Sequence, residues 1–556
     1  MSKYTIGIDF GTLSGRALLA ETGTGREIAS SVMDYPHGVM DDVLCGTGEK
    51  LPGNWALEHP ADFLQVLEFV LHDVIKQGNV KKEDVIGICI DFTCCTILPV
   101  TGDGTPLCFL DEFRGEKNAY CKLWKHHAAQ PYADRMNEIA RRRGDEWLRP
   151  FGSKISSEWA FPKIWQTLDE APEVYRRAAY FVEAGDWLNM VLTGKLTRSY
   201  LYAAFKAEYI AGEGYPPDDF FRECDPRLSG VVATKMAGEI VPAGKIAGYV
   251  SEAAGERFGL CPGTVVAASV PDAHVAALSL GITSPGDVYG IFGTSNCYFA
   301  VTDGYRDIPG ICGCVEDGLI PGYYGCEAGL CCVGDHFAWL ADNFASEKVC
   351  AEAESQGLSP LKYLIKLAAA KKPGQTGLLA LDWWNGNRNV LSNGDLSGLL
   401  VGMTLRTGPE DVLRALIEAT AFGTRVIFDT YRRGGVELTA LTAAGGIARK
   451  DPFTMQLYAD VLQMPIKVCR SAQAPALGGA IYAAAAAGSA AGGYDSIAAA
   501  SEAMRSPVEK EYLPDAEAGK VYDRLFAEYL ALHDLFGRGG NDVMLRLRKI
   551  AADANE

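Results

Sequence analysis

Short apolar runs separated by turn formers fill the first 34 positions of the chain. Residues 4–10, 16–21 and 27–34 read as three strands joined by the segments GTLSG and TGTG, the pattern of an antiparallel meander. Between residues 60 and 77 the period changes. Phe63, Val66, Leu67, Val70, Leu71 and Val74 fall on one face of a helix opened by Pro60, and the apolar run 85–92 after it predicts a buried strand. Strand, helix and strand in that order predict an α/β layered fold.

The stretch 104–255 is helix-biased, rich in Trp and Arg, and broken by Tyr215-Pro216-Pro217 and Asp225-Pro226, so it reads as insertions on a sheet. Strands resume at 263–270 and 287–292, where the turn Gly293-Thr294-Ser295 leads into another at 297–302. Strand, Gly-Thr turn and strand thus open both halves, a short echo that points to internal duplication. Farther on, an amphipathic helix covers 409–433 and a strand at 438–443 ends in Gly445-Gly446. Asp451-Pro452 caps a further helix, a strand covers 465–469, an Ala-rich helix follows Pro475, and an amphipathic helix spans 521–536.

A length of 556 residues exceeds one ordinary core and predicts two or three domains. With 48% hydrophobic and 22% charged residues, a largely disordered or collagen-like chain is excluded. The formal charge of −18 repels phosphate backbones and anionic lipid, which counts against nucleic acid and membrane as partners. A small anionic ligand stays compatible, because backbone N–H groups at turns and helix N-termini bind phosphate without basic side chains. The N-terminal residues carry no apolar signal core and residues 474–491 are interrupted by Gly and Ser, so the expected compartment is the cytoplasm. Sixteen cysteines in such a chain predict free thiols. The densest group, Cys312, Cys314, Cys326, Cys331 and Cys332, lacks the CxxC and His spacing of a zinc site and reads as buried small hydrophobes.

Candidate chemistry sits at strand ends. Asp9 to Arg16 joins a carboxylate, two glycines, two hydroxyls and an Arg; glycines let backbone approach a polyphosphate, and Asp9 suits Mg²⁺ held through water. A hairpin with a buried Asp is the plainer account of that segment alone. Gly293-Thr294-Ser295-Asn296 and Gly445-Gly446 offer two more such turns, and Gly478-Gly479 permits a close approach by ligand or by a packed helix. The chain has neither GxxxxGK[ST] nor GxGxxG after a strand, which counts against the P-loop and Rossmann routes. Asp272, in Pro271-Asp272-Ala273-His274, fits a base for a hydroxyl or equally a helix N-cap. Asp91 to Thr96 ends an inner strand in small polar residues suited to a polyol, while Lys206 and Glu327 by themselves read as solvated charges. The loop from Asp382 to Arg388, with two Trp, reads as a cleft wall.

Together IDFGTLSGRALL, IDFTCCTILPV, KLWKHHAAQ, SSEWAFPKIWQTLDEAP, VPDAHVAA, GIFGTSNCY, LDWWNGNR, GGIARKDPFTMQLYADVLQMPI and APALGGAIYAAAAAG resemble the FGGY carbohydrate kinases nearly end to end. The resemblance implies two actin-like ATPase (ribonuclease H-like) α/β domains with a catalytic cleft between them: residues 1–283 as a sugar-binding domain with helical insertions, and 284–556 as an ATP-binding domain. It implies ATP-dependent phosphorylation of L-ribulose at the 5-hydroxyl, as in L-arabinose catabolism, or the same reaction on D-ribulose, a xylulose or a polyol. Asp272 is then the base. Cys94, Lys206, Asp272 and Glu327 touch the sugar; Thr12, Arg16, Gly293, Thr294, Ser295, Gly445, Gly446, Arg449 and Gly478 serve the nucleotide and its phosphates; Asp9 faces Mg²⁺. The expected partners are sugar and ATP, with a homodimer as the expected assembly and neither nucleic acid nor membrane.

Overall fold

A computed structural model describes residues 2–555. Two compact units divide the chain. The first holds the residues up to Thr283 together with Val315–Tyr324 and Gln473–Ser506; the second holds Ser284–Cys314, Gly325–Ala472 and the residues from Pro507 onward. Gln473–Ser506, with its Ala-rich helix, packs into the first unit.

In the first unit, β1 (Tyr4–Phe10), β2 (Ser14–Glu21) and β3 (Glu27–Asp34) form the antiparallel meander. Helix α1 (Pro60–Gly78) lays its predicted apolar face on them, with Phe63, Val66, Leu67, Val70, Leu71 and Val74 all buried. Its Pro60 occupies the first turn, where a missing N–H costs nothing, and the His59 ring nitrogen accepts the Ala61 N–H. Strand β4 (Val85–Phe92) then pairs parallel to β1, as a strand returning through a helix does. The sheet is completed by β5 (Ile246–Tyr249), β6 (Val265–Ala267) and β7 (Val270–Pro271), in the order β5-β6-β4-β1-β2-β3 with β7 also on β4. The single strand expected at 263–270 is thus two short ones. Helix α2 (Asp272–Ser279) follows β7 directly.

The Ala474–Ala487 helix explains its own composition. It lies against β1, β4 and α2, and a Cβ at Gly7 would stand 1.7 Å from the Ala476 carbonyl oxygen. On the helix's other side, a Cβ at Gly478 would stand 2.0 Å from the Val275 carbonyl oxygen. Backbone rests on backbone at both places, so glycine is required at Gly7 and Gly478.

The second unit repeats the opening motif. Strands β8 (Val288–Phe292) and β9 (Asn296–Thr302) pair antiparallel around the Gly-Thr-Ser turn. With β10 (Gly313–Glu316), β11 (Tyr324–Leu330), β12 (Leu441–Ala444), β13 (Ile466–Cys469) and β14 (Val508–Tyr512) they make a sheet ordered β10-β11-β9-β8-β12-β13-β14. Strand β12 pairs parallel to β8, as β4 does to β1. Asp382 and Trp383 are core residues of this unit rather than a cleft wall: both are buried, and Tyr529 donates a hydrogen bond to Asp382 at 2.7 Å. No helix among the described residues is long and apolar enough to cross a membrane.

Candidate functional site

Parallel pairing places carboxylates side by side at one end of the first sheet. Asp9 on β1 is in register with Asp91 on β4, and Asp91 in turn with Val270 on β7, two residues before Asp272. Phe10 and Phe92 stack one position on, at 5.1 Å and 9°. Arg16, opposite Asp9 on β2, brings its Nε to 3.5 Å from Asp9 Oδ2. Burial pushes the Asp9 carboxyl up, and the Arg16 guanidinium draws it back. Asp91 is fully buried and pushed well above the usual carboxylate range, by burial first and then by the charges of Asp9 and Asp272. Asp91 is therefore the carboxyl of this group best placed to keep a proton.

The turn between β1 and β2 is fixed from several sides. Gly11 N–H donates to Ser14 O, the Tyr35 hydroxyl to Gly11 O at 2.7 Å, and the Trp124 indole N–H to Thr12 Oγ1 at 3.1 Å. Asp272 opens α2, but the helix is capped by Pro271 without a side-chain hydrogen bond; Asp272 Oδ1 accepts the N–H of the adjacent Ala273 at 2.7 Å. The half-buried Asp272 therefore does not act as the helix N-cap. His274 beside it is buried against the Phe205 ring.

Cys94 stands on a tight turn after β4. Thr93 and Thr96 hydroxyls meet at 2.9 Å across it, and Cys95 takes a left-handed backbone with φ of 65°. Lys163, only 1% exposed, anchors that turn by donating to Cys95 O at 2.6 Å and to Leu123 O at 2.9 Å, next to Trp124. Lys206 ends the helix Tyr200–Lys206 and is buried. Lys163 and Lys206 share a neighbour in Glu183, whose carboxyl burial pushes up to about 8 against the pull of Lys163, with Lys206 also lowering it. Lys163→Met should cost about 3 kcal/mol by stranding buried carbonyls, read as a lower urea midpoint; an unchanged midpoint would remove its anchoring role. A cavity of about 690 Å³ beside α1, lined by Leu64, Phe69, His72 and Lys76 among others, contains none of these residues.

In the second unit, Gly293 N–H donates to Ser295 O, while the Val333 and Gly334 N–H groups donate to Thr294 O and Gly293 O. Thr294 is exposed on the resulting loop. Because Ile291 pairs with Ala444, the Gly445-Gly446 turn lies alongside. Gly445 has φ of 99°, and a Cβ there would stand 2.4 Å from Phe292 O, so the close approach needs glycine. Arg449 is exposed just after it, and Glu327 is buried on β11. Gly478 belongs to the first unit, where its backbone packs against Val275.

The model of the N-terminal domain of the FGGY family of carbohydrate kinases matches residues 4–279, and that of the C-terminal domain matches 288–487. The chain belongs to the FGGY family of carbohydrate kinases. This FGGY kinase is 49% identical over 538 residues to a ribulokinase of Bacillus licheniformis, covering 97% of each chain. It is 47% identical over 549 residues to a ribulokinase of Halalkalibacterium halodurans, covering 99% of this chain and 98% of that one. A ligand-bound xylulose kinase from Lactobacillus acidophilus has the same fold, with a TM-score of 0.78 at 17% identity over 97% of this chain and 99% of that one. The two-domain α/β fold is thus that of the family.

Two residues escaped the sequence reading. Asp91 was placed on a polyol-binding segment but not among the carboxylates, although IDF recurs at 8–10 and 90–92 and marks two matching strand ends. Lys163 carried no local signal, because its partners are carbonyls 40 and 68 residues away.

Proposed function

We propose that this FGGY kinase transfers the terminal phosphoryl group of ATP to the 5-hydroxyl of L-ribulose. Near-full-length identity to proteins named ribulokinases carries the reading. Asp272 is the base: its half-buried carboxylate takes the proton of the attacking hydroxyl, leaving the oxygen free to form the new bond to phosphorus. Cys94, Lys206 and Glu327 hold the sugar's remaining oxygens.

Thr12 and Arg16, and in the second unit Gly293, Thr294, Ser295, Gly445, Gly446 and Arg449, are assigned to the phosphates and nucleotide. Backbone N–H groups at Gly-rich turns suit that task in a chain of net negative charge. The Asp9 carboxylate at the end of β1, beside Arg16, supplies the hard oxygen donor that Mg²⁺ prefers, and Asp9 is the residue that would face it, through water. Bound there, the ion would offset phosphate charge.

A panel of L-ribulose, D-ribulose, the xyluloses, ribitol and glycerol tests the substrate by ADP release. L-Ribulose is expected to show a kcat/KM about tenfold or more above each rival. No sugar-dependent ADP at all would defeat the kinase mechanism, and a higher value for another acceptor would defeat the substrate.

A further inference from the structure

Strands β10 and β11 are neighbours at the edge of the second sheet. Cys312 N–H, just before β10, donates to Glu327 O at 2.8 Å. Two positions along, Cys314 on β10 faces Cys326 on β11 with their sulfurs 3.0 Å apart. Both side chains are buried, at 2% and 0% exposure. The gap exceeds a disulfide bond, about 2.05 Å, by roughly 1 Å, so a small shift of one strand would close it. The buried Tyr431 hydroxyl donates to Tyr298 O at 3.1 Å, and burial first, then the charges of Cys326, Cys312, Glu327 and Cys314, push it well above its usual range.

We propose that Cys314 and Cys326 form a reversible oxidation site, at which a hydroperoxide makes a cross-strand disulfide that displaces Glu327. The effect on activity rests on the reading above that Glu327 holds the ketose. The two thiols are inequivalent. Cys326 donates its S–H to the Cys314 sulfur, which with the nearby Arg306 holds Cys314 below the usual thiol range, while Cys326 is pushed well above it.

Cys314 is therefore the attacking thiolate. Its sulfur takes one oxygen of hydrogen peroxide, the O–O bond breaks, and the departing hydroxide becomes water with the proton that Cys314 had released. The Cys326 sulfur then attacks the sulfenic sulfur of Cys314, and the oxygen leaves as a second water carrying the Cys326 proton. Two thiols and one peroxide give one disulfide and two waters. Peroxide is small enough to reach a pair this buried when the hairpin opens locally. Because Glu327 follows Cys326 directly and is tied through its carbonyl to Cys312, contraction at the pair moves its backbone.

The test uses the full chain, reduced and then treated with hydrogen peroxide, with free thiols blocked before peptide mapping and parallel ADP-release assays. A Cys314–Cys326 cross-link should accumulate in step with a rise of about tenfold or more in ketose KM, and dithiothreitol should reverse both. Cys314→Ser, or Cys314→Ala should the first fold poorly, should keep basal turnover and resist peroxide. Oxidation of the exposed Cys350 with no 314–326 cross-link would overturn the site. A cross-link without a change in KM, or a Cys314→Ser enzyme inactivated as fast as the parent, would overturn its effect on activity. Absence of ketose-dependent ADP in the untreated protein would count against the kinase reading alone, since the mapping still decides the cross-link.

Discussion

Asp272→Asn should lower ketose-dependent turnover about a hundredfold or more, while ketose and ATP still bind. Asn keeps the side-chain volume and an oxygen to accept the Ala273 N–H, and the cap of α2 is Pro271, so the substitution removes basicity without unseating the helix. An acceptor hydroxyl at neutral pH holds its proton until something takes it, and the amide cannot. Steady-state ADP release and calorimetric titration of each ligand separate the two effects. Turnover within about threefold of the parent would mean that another group takes the proton.

Legibility followed the range of the interactions. The meander, α1 and the long helix of residues 409–433 could be read from hydrophobic period, since each buries one continuous face. Asp9 and Asp272 could be read as carboxylates at strand ends, and both Gly-Thr turns as loops beside a strand. What the sequence left unsaid depends on distant pairing. The register of β1 on β4 makes Asp91 a neighbour of Asp9, and no local pattern encodes a register between strands some eighty residues apart. The strand expected at 263–270 splits before Asp272 because its partner β4 engages it in two separate places. The Ala-rich segment follows strand β13 of the second unit in chain order, yet its glycines match the backbone of β1 and α2 in the first unit. Small residues advertise closeness without naming the surface they approach.

That closeness sets the second large effect. Gly7→Ala should destabilise the protein by about 3 kcal/mol or more, seen as a lowered midpoint in chemical denaturation and reduced soluble yield. The added Cβ would stand 1.7 Å from Ala476 O and 2.6 Å from Ala480 N, both backbone atoms of a helix that cannot turn aside as a side chain can. The helix is also tied to β1 by the Thr5 hydroxyl, which donates to Ala480 O at 2.8 Å. Gly478→Ala, on the opposite side of the same helix, should act similarly through Val275 O, whereas Gly23→Ala, with nothing within 4 Å, should stay within about 0.5 kcal/mol of the parent. Since the helix rests on β1 with Asp9 on one side and on α2 with Asp272 on the other, lifting it from either also changes the spacing of those two carboxylates. A Gly7→Ala protein with the parental midpoint would show that β1 and the helix do not meet through backbone, and the composition of the Ala474–Ala487 helix would need another cause.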